Sequence, residues 1–243
     1  MRILLYDLET SPLTAHTWGL WQQNVSISQI LESTEVMCFG ARWLDGKNVK
    51  FRSVHHHGKQ AMLEKIHQLM DEADVMVGWN SASFDRKHLN REFLQAGMTP
   101  PSPSRELDLM KVVKSQFRFP SNKLDYVAKT LGVGGKVSHT GFQLWLDCMA
   151  GDDKAWRLMH KYQVQDVQLL GELYEKLKPW MKWHPDKNII DGTDDACTVC
   201  GGGLRQNGTF SSNSGLYQQW VCTECGKYHK SVKRLSTSSV RSV

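Results

Sequence analysis

The chain has 243 residues, of which 40% are hydrophobic and 23% are charged, and this composition fits one sizeable globular domain with an appendage rather than a disordered protein. No run approaches the roughly 18 apolar residues of a membrane helix, and the N-terminus lacks a secretory signal pattern, so a cytosolic protein without a membrane partner is expected. The formal net charge of +5 permits a nucleic-acid partner without requiring one.

The first predicted strand spans residues 2–9 and ends at Thr10-Ser11-Pro12. It is apolar on both faces, which is typical of a central strand in a sheet. Because side chains alternate along a strand, Asp7 and Glu9 lie on one side of it, roughly 7 Å apart. The two acids either begin a solvated loop or project together into a site.

The next segment, residues 13–33, shows no pattern that assigns it to a helix or a strand. Three of its large apolar side chains are expected to be partly buried, namely Trp18, Leu20 and Trp21. A β-hairpin is then predicted over residues 35–44 and 49–54, joined by a turn that contains glycine. For the His55-His56-His57 run that follows, a solvated loop is favoured over a metal site, because adjacent side chains of an extended chain point in alternate directions.

Helices dominate the middle of the chain, and their apolar spacing predicts them at residues 59–72, 80–97, 108–117, 122–131 and 144–149. A short apolar strand, residues 74–79, precedes the second of them. Asp85 falls in the first turn of that helix, where the helix dipole favours an anion, so capping alone would explain it. Asp108 is expected to cap the next helix. The early strands and later helices predict an α/β sheet covered by helices.

The longest helical pattern begins at Asp152 or Asp153 and ends at Lys178-Pro179. Its inward positions step by three or four residues and are Ala155, Met159, Tyr162, Asp166, Leu169, Leu170, Leu173 and Leu177. A carboxylate therefore lies on the buried face, one turn after a tyrosine. Because an unpaired buried charge is costly, Asp166 must find a cation, take up a proton or accept several hydrogen bonds.

The glycine-rich run that ends at Lys136 resembles a phosphate-binding loop only superficially. No glycine stands five residues before Gly135, and Val137 replaces the serine or threonine that would hold magnesium. A nucleoside-triphosphate site is therefore not predicted there.

Three acidic motifs follow one another along the chain, with a plausible spacing: Asp7-x-Glu9, Asn80-x-x-x-Phe84-Asp85 and Tyr162-x-x-x-Asp166. In this order they resemble the DEDD exonuclease superfamily, also called DnaQ-like, and especially its phage-associated members. The resemblance covers about residues 3–177. One branch of that family carries a histidine five residues before the last aspartate. Here Lys161 occupies that position and His160 stands six residues before, so the match is to the tyrosine (DEDDy) branch.

This resemblance implies an RNase H-like mixed sheet flanked by helices in residues 1–183, and removal of nucleotides from 3′ ends in the cytoplasm of a bacterium or a phage-infected host. It implies two Mg²⁺ or Mn²⁺ ions, since such ions prefer carboxylate oxygens, and a pair about 4 Å apart activates water and stabilises the leaving oxygen. Their ligands would be Asp7, Glu9, Asp85 and Asp166, with Asp7 bridging both ions. Tyr162 would position the attacking water, because a phenol with a reference pKa near 10 is a poor base at neutral pH.

Four polar residues beside these acids are candidate substrate contacts, although solvated surface is the commoner fate of such residues: Asn80, Arg86, Lys87 and Lys161. Phe117 and Phe119 either stack on bases or anchor a loop or the core, and the second role is favoured.

Four of the six cysteines form two CxxC pairs near the C-terminus, Cys197, Cys200, Cys222 and Cys225. Four thiolates in tetrahedral geometry specify one structural Zn²⁺, whereas a redox-active site would need only one pair. The spacing resembles a zinc ribbon over residues 196–230, after a polar linker at 184–195 and before a basic, disordered tail at 231–243. Cys38 and Cys148 are expected to be buried apolar residues.

The leading functional prediction is a 3′-to-5′ exonuclease that acts on DNA, in single-stranded or proofreading-like fashion, and serves replication or repair. An enzyme that trims RNA with the same site, and an inactive adaptor that only binds nucleic acid, remain as alternatives. The ribbon would grip nucleic acid or a replication or polymerase partner through aromatic residues and the basic tail, namely Tyr217, Trp220, Tyr228 and the lysines and arginines from Lys227 to Arg241.

Overall fold

The structure is a computed structural model that describes residues 1–138 and 140–239. The chain divides into two compact units: one comprises residues 2–174, and the other comprises Met1 with the residues from Glu175 onward. The strands of the first unit are β1 (Ile3–Thr10), β2 (Thr14–Ala15), β3 (Ile30–Glu32), β4 (Val36–Trp43), β5 (Lys50–Ser53), β6 (Val75–Gly78) and β7 (Arg105–Asp108). The helices are α1 (Val54–His57), α2 (Lys59–Asp71), α3 (Asp85–Gln95), α4 (Leu109–Gln116), α5 (Leu124–Thr130), α6 (Gln143–Met149) and α7 (Asp153–Leu177), the last of which runs into the second unit.

β1 is the middle strand of a five-stranded sheet with the order β5-β4-β1-β6-β7. It pairs antiparallel with β4 and parallel with β6, and β6 pairs parallel with β7. Leu4, Leu5 and Tyr6 are fully buried, which confirms the prediction of a central strand. The mixed sheet flanked by helices confirms the predicted fold class.

One face of the sheet packs against α2 and α3. The core on this side combines alternate residues of β1 with the apolar stripes of the two helices, among them Leu4, Tyr6, Leu8, Met62, Ile66, Met70, Leu89 and Phe93. Both helices show the spacing of three and four residues that a single buried face requires. This packing fixes the even-numbered side of β1 as its core side.

The other face of the sheet carries Leu5, Asp7 and Glu9, and α7 packs against it. The backbone oxygen of Gln163 lies 3.3 Å from the point that a Cβ atom at Gly40 would occupy, so the helix touches β4 directly. All eight inward positions predicted for α7 are buried, as are Trp156, Gln163, Val167 and Tyr174. Although α7 is long, no helix among the described residues combines the length and the apolar character needed to cross a bilayer.

The segment between β1 and β4 corrects one prediction. Trp18, Leu20 and Trp21 are 98%, 90% and 83% exposed, so the expectation that they are partly buried is wrong. The segment makes only the short β2–β3 ladder and a single 3₁₀ turn, Ile27–Gln29, outside the five-stranded sheet. Because the segment does not pack against the five-stranded sheet, these three apolar side chains remain exposed to solvent.

The histidine run also differs from the expected solvated loop. His55, His56 and His57 lie in α1, a single helical turn whose N-cap is Ser53, and the Ser53 hydroxyl accepts a hydrogen bond from the His56 backbone N–H at 3.2 Å. In a helical turn, successive side chains are rotated by about 100° rather than 180°. Neighbouring imidazoles can therefore approach one another, which an extended chain would prevent.

The second unit contains the 3₁₀ turn Lys178–Trp180, the helix α8 (Lys187–Asp191), and an antiparallel sheet of β8 (Leu204–Ser212), β9 (Gly215–Cys222) and β10 (Tyr228–Ser236) with β9 in the middle. The predicted linker at 184–195 thus includes a short helix, which the Asp186 side chain caps. The predicted tail also begins too early, because β10 pairs with β9 as far as Ser236. The end of that tail, with Arg241, lies outside the described residues.

Replacing Gly40 with alanine is expected to lower the free energy of unfolding by about 1–3 kcal/mol, because overpacking displaces neighbouring atoms in a close-packed interior. The added Cβ would lie 2.9 Å from Oε1 of Gln163 and 3.0 Å from Cγ2 of Val167. Urea denaturation followed by tryptophan fluorescence measures the change. Gly46→Ala is the control, since its Cβ would meet nothing closer than 3.4 Å. An equal loss in both variants would contradict close packing at Gly40.

Candidate active site

Asp7 lies between β1 and α7, where its Oδ2 accepts a hydrogen bond from Nε2 of Gln163 at 3.1 Å. Burial raises the pKa of Asp7 to about 7, and the negative charge of Asp166 adds to the shift. The ammonium of Lys136 and the Gln163 amide act in the opposite direction. A carboxyl in this environment favours a bound proton or a nearby cation.

Glu9, two residues further along the same side of β1, interacts with all the other predicted acids. Burial raises its pKa well above the usual value, and the charges of Asp7, Asp166 and Asp85 raise it further, while Lys136 lowers it. Because these interactions weaken with distance, the four acids lie near one another at the end of β1. The structure therefore brings together residues from three distant parts of the chain.

Asp85 joins α3 to β1. It is the first residue of α3, it is buried, and its Oδ1 accepts a hydrogen bond from the Leu8 backbone N–H at 3.0 Å. Burial and then the charge of Asp7 raise its pKa well above the usual value, although the backbone N–H groups of Asp85 and Leu8 lower it. Capping of α3 does not account for this hydrogen bond to Leu8, which is 77 residues earlier in the sequence. Asp85 therefore belongs to the acidic cluster at the end of β1.

Tyr162 and Asp166 enter from α7 and share one cation. Nζ of Lys136 donates to Oη of Tyr162 at 2.6 Å and to Oδ2 of Asp166 at 2.5 Å. Burial raises the pKa of Asp166, against the effect of Lys136. Oδ1 of Asp166 is buried and has no hydrogen-bond partner among the described residues. Lys136 therefore supplies part of the positive charge that the buried carboxylate of Asp166 requires.

Lys136 is the site residue that sequence reasoning missed. Its glycine-rich loop lacks the pattern of a phosphate-binding loop, but it is hydrogen-bonded to both α5 and α7. The Lys136 backbone N–H donates to Oδ1 of Asp125 at 2.9 Å, and Gln165 Nε2 donates to the Gly135 carbonyl at 3.3 Å. Burial would lower the pKa of Lys136, but the charges of Asp166 and Tyr162 raise it overall. No local pattern indicates these long-range contacts.

The four candidate substrate contacts occupy different environments. Asn80 has a positive φ of 64° and its backbone N–H donates to Oδ1 of Asp108, which also caps α4 as predicted. The guanidinium of Arg86 contacts Met76 and Ser104 and lies 4.0 Å from Glu106, so its described contacts do not include the clustered acids. Lys87 and Lys161 are exposed.

The four acids are spread more widely than the ligands of a single ion. Among the described residues, groups of at least three metal-binding side chains with ligand atoms all within 4.8 Å of one another are the four C-terminal cysteines and a second set, His55, His56 and Asp153. Magnesium and manganese commonly keep several waters and use only one or two carboxylates each. A wider carboxylate set with an unpartnered oxygen is compatible with such ions.

The four cysteines of the second unit converge as predicted. Sγ of Cys197 lies 3.7 Å from Sγ of Cys225, and Sγ of Cys200 lies 3.5 Å from that of Cys222. Tetrahedral zinc with Zn–S bonds of about 2.3 Å requires sulfurs about 3.8 Å apart. Gly201 and Gly226 follow the two pairs with φ of 81° and 75°, a conformation that favours glycine. The arrangement fits one structural zinc ion.

The aromatic residues of the ribbon are not equally accessible. Tyr217 is buried, and Nζ of Lys230 lies 4.2 Å from the centre of its ring, so the prediction that it grips a partner is wrong. Tyr228 is 57% exposed and Trp220 is partly exposed. Of the three predicted contacts, Trp220 and Tyr228 are therefore accessible to a ligand.

Comparison with known proteins gives the family. Residues 30–178 match the family model of the RNase H superfamily. The chain belongs to the RNase H superfamily. A family B DNA polymerase from the hyperthermophilic archaeon Pyrobaculum calidifontis has a similar structure, with a TM-score of 0.55 over 73% of this chain and 19% sequence identity. This chain spans about a quarter of that polymerase, 24%, and the likeness shows the fold alone. No curated protein matches the chain.

In buffer without magnesium or manganese, the free energy of unfolding is expected to fall as the pH rises from about 4 to about 7. Asp7, with its pKa raised from 3.8 to about 7, holds a proton in the folded chain over a range in which the unfolded chain has lost it. Urea denaturation at a series of pH values measures this slope. Asp7→Asn should reduce the slope without abolishing it, because the pKa values of Glu9, Asp85 and Asp166 are raised as well; a variant with the full slope would show that Asp7 is not one of the titrating groups.

Cys197→Ser is expected to remove the zinc that copurifies with the chain, because a structural site needs all four ligands. Mass spectrometry of metals in purified protein should find one zinc ion per wild-type chain and much less than one in the variant. Cys148→Ala is the control, since Cys148 is equally buried but lies in the core beside α7. Full zinc content in Cys197→Ser would contradict the assignment.

Proposed function

We propose that the protein is a metal-dependent nuclease that removes nucleotides from the 3′ ends of DNA. The observation that carries this proposal is the gathering of Asp7, Glu9, Asp85 and Asp166 at the end of β1, where loss of hydration and nearby negative charges raise all four pKa values. Like charges kept in this way lower the stability of the fold unless a cation offsets them. Such an arrangement is typical of a functional site.

The donor set fits magnesium or manganese. It consists of carboxylate oxygens, which hard divalent ions prefer, and it includes Oδ1 of Asp166, for which no described residue supplies a hydrogen bond. Asp7, Glu9, Asp85 and Asp166 would be the protein ligands of the metal ions. When bound, a pair of ions supplies an activated water and stabilises the leaving oxygen of the phosphodiester.

The phenol of Tyr162 would orient the attacking water rather than remove its proton. Burial raises the pKa of Tyr162 well above its ordinary value of 10, and the charges of Asp166 and Glu9 contribute further, against Lys136. The group therefore stays protonated at neutral pH. Oη accepts a hydrogen bond from Lys136, which would hold the phenol in one orientation beside the site where the attacking water is positioned.

Lys136 would act as a positioning residue. Its ammonium holds the phenol of Tyr162 and the carboxylate of Asp166 together, and it offsets part of the negative charge of the cluster. In this position it also competes with a divalent ion for Asp166. The lysine thus preorganises the water-orienting group and limits how tightly metal binds.

The direction of digestion and the choice of DNA rest on the resemblance to the DEDD superfamily and on the similar fold of a DNA polymerase. Contact of the ribbon with nucleic acid, or with a replication or polymerase partner, belongs to the same proposal. Tyr228, Trp220 and the basic residues of β10 are its candidate contacts. RNA trimming and binding without cleavage are the two alternatives that the assay must separate.

The test is incubation of the full chain with 5′-labelled single-stranded DNA and RNA of one sequence in Mg²⁺. A ladder of products shortened from the 3′ end of DNA is expected. Asp7→Asn and Asp166→Asn should reduce its rate by more than about 100-fold, whereas Asp45→Asn, in an exposed turn, should leave it unchanged. A ladder from RNA alone would select the trimming enzyme. Binding without cleavage, or equal activity in all variants, would contradict the proposal.

Lys136→Met is expected to lower the Mg²⁺ concentration that gives half-maximal activity by several-fold, because Asp166 no longer has a competing cation. The maximal rate should fall by about 10- to 100-fold as the phenol loses its hydrogen-bond donor. Rates measured over a magnesium series give both values. Lys129→Met is the matched control, since Lys129 pairs with Asp125 in the neighbouring helix. If Lys136→Met changed neither the half-maximal Mg²⁺ concentration nor the maximal rate, the proposed role of Lys136 would be contradicted.

A further inference from the structure

A second cluster of metal-ligating side chains is built from residues outside the acidic cluster. His55 and His56 lie in α1, and Asp153 is the first residue of α7. One ligand atom from each of the three side chains lies within 4.8 Å of the other two. Nε2 of His55 and Oδ1 of Asp153 are 3.0 Å apart. Asp153 is about 100 residues from the two adjacent histidines in the sequence but next to them in the fold.

The separation of these atoms suits chelation. Zinc binds imidazole nitrogen and carboxylate oxygen at about 2.0–2.2 Å, so two ligands at angles between a right angle and the tetrahedral angle lie about 3.0–3.5 Å apart. The distance between His55 and Asp153 falls at the short end of this range. An ion can therefore bind both atoms with little movement of either side chain.

The imidazole rings are also held in place by their neighbours. Nδ1 of His56 lies 2.9 Å from the Ser53 hydroxyl, which leaves Nε2 for a ligand. The ring of His55 stacks on Trp156 at 5.4 Å and 9°, and His56 meets the same indole edge-on at 6.0 Å. Trp156 is almost fully buried and is itself fixed by a hydrogen bond to the Cys148 carbonyl. Oriented outer partners of this kind are typical of metal sites.

We propose that His55, His56 and Asp153 form a binding site for a borderline divalent cation of the zinc class. Two imidazoles and one carboxylate suit Zn²⁺, Ni²⁺ or Cu²⁺ better than Mg²⁺, which separates this site chemically from the acidic cluster. The exposed side of the site leaves room for water as a fourth ligand. The bound ion joins α1 to the first turn of α7, the helix that also carries Tyr162 and Asp166.

The site borders a cavity of about 660 Å³ whose lining includes His55, Trp156, Cys148 and Lys59. Access from this cavity lets a small ligand reach the open position of the ion. A hydrogen bond between His55 and Asp153 at a helix start would also account for their contact without any metal. Direct measurement of binding distinguishes the two explanations.

The experiment uses the full chain with one zinc already bound to the ribbon and with millimolar Mg²⁺ present to occupy the carboxylates. Isothermal titration with Zn²⁺ should detect one further site. His55→Phe keeps a ring on Trp156 but removes the ligand nitrogen, and Asp153→Asn removes the charge. Each should weaken the added site by at least tenfold. His57→Phe and Asp152→Asn, their sequence neighbours, should change it by less than twofold.

Hydrogen exchange gives a second readout that does not depend on the ribbon. Added Zn²⁺ should slow exchange in peptides covering residues 53–57 and 152–158 of the wild type, but not of His55→Phe. Circular dichroism establishes that the variants remain folded. Zinc binding of equal strength in the wild type and both ligand variants would overturn the proposal. A loss as large in the two control variants would overturn it as well.

Discussion

The constraint on which the structure depends is the confinement of four carboxylates and one ammonium beside the central strand. The backbone positions of Asp7 and Glu9 are fixed because β1, the strand that carries them, pairs with β4 on one edge and β6 on the other. Asp85 and Asp166 are brought to them by helices whose own apolar faces are buried. Lys136 offsets part of the charge, but one oxygen of Asp166 has no hydrogen-bond partner in the described part of the chain. The fold therefore maintains an electrostatic imbalance that favours cations and lowers its own stability at this position.

The sheet and its two helical layers have separate tasks in maintaining this arrangement. The layer formed by α2 and α3 supplies most of the apolar burial and anchors Asp85 through the Leu8 backbone. The layer formed by α7 supplies Tyr162, Gln163 and Asp166 over little more than one turn. Its close approach depends on Gly40, which stands opposite Asp7 in the β1–β4 register and leaves room for the Gln163 side chain. A residue without a side chain thus orients a carboxylate on the neighbouring strand.

Local patterns in the sequence were sufficient for much of this description. The buried stripe of α7, the central position of β1, the paired acids and the CxxC spacing are all properties of nearby residues, and they could be read without knowing the fold. Three features were not local. β7 is a strand only because it pairs with β6, Lys136 reaches partners 26 and 30 residues away, and Trp18 is exposed because no layer covers its segment. Sequence periodicity carries no information about such distant pairings.

The alternation along β1 has a consequence for how this chain can evolve. Odd positions carry the acids and even positions, such as Tyr6 and Leu8, anchor the opposite layer, so a single strand serves both. Deleting or inserting one residue in β1 would move every side chain beyond that point to the other face of the sheet. The acids would then lie in the apolar core against α2 and α3, and apolar side chains would face α7. Point substitutions in this strand change one face at a time, whereas single-residue insertions and deletions should be eliminated in every lineage that retains the acidic cluster.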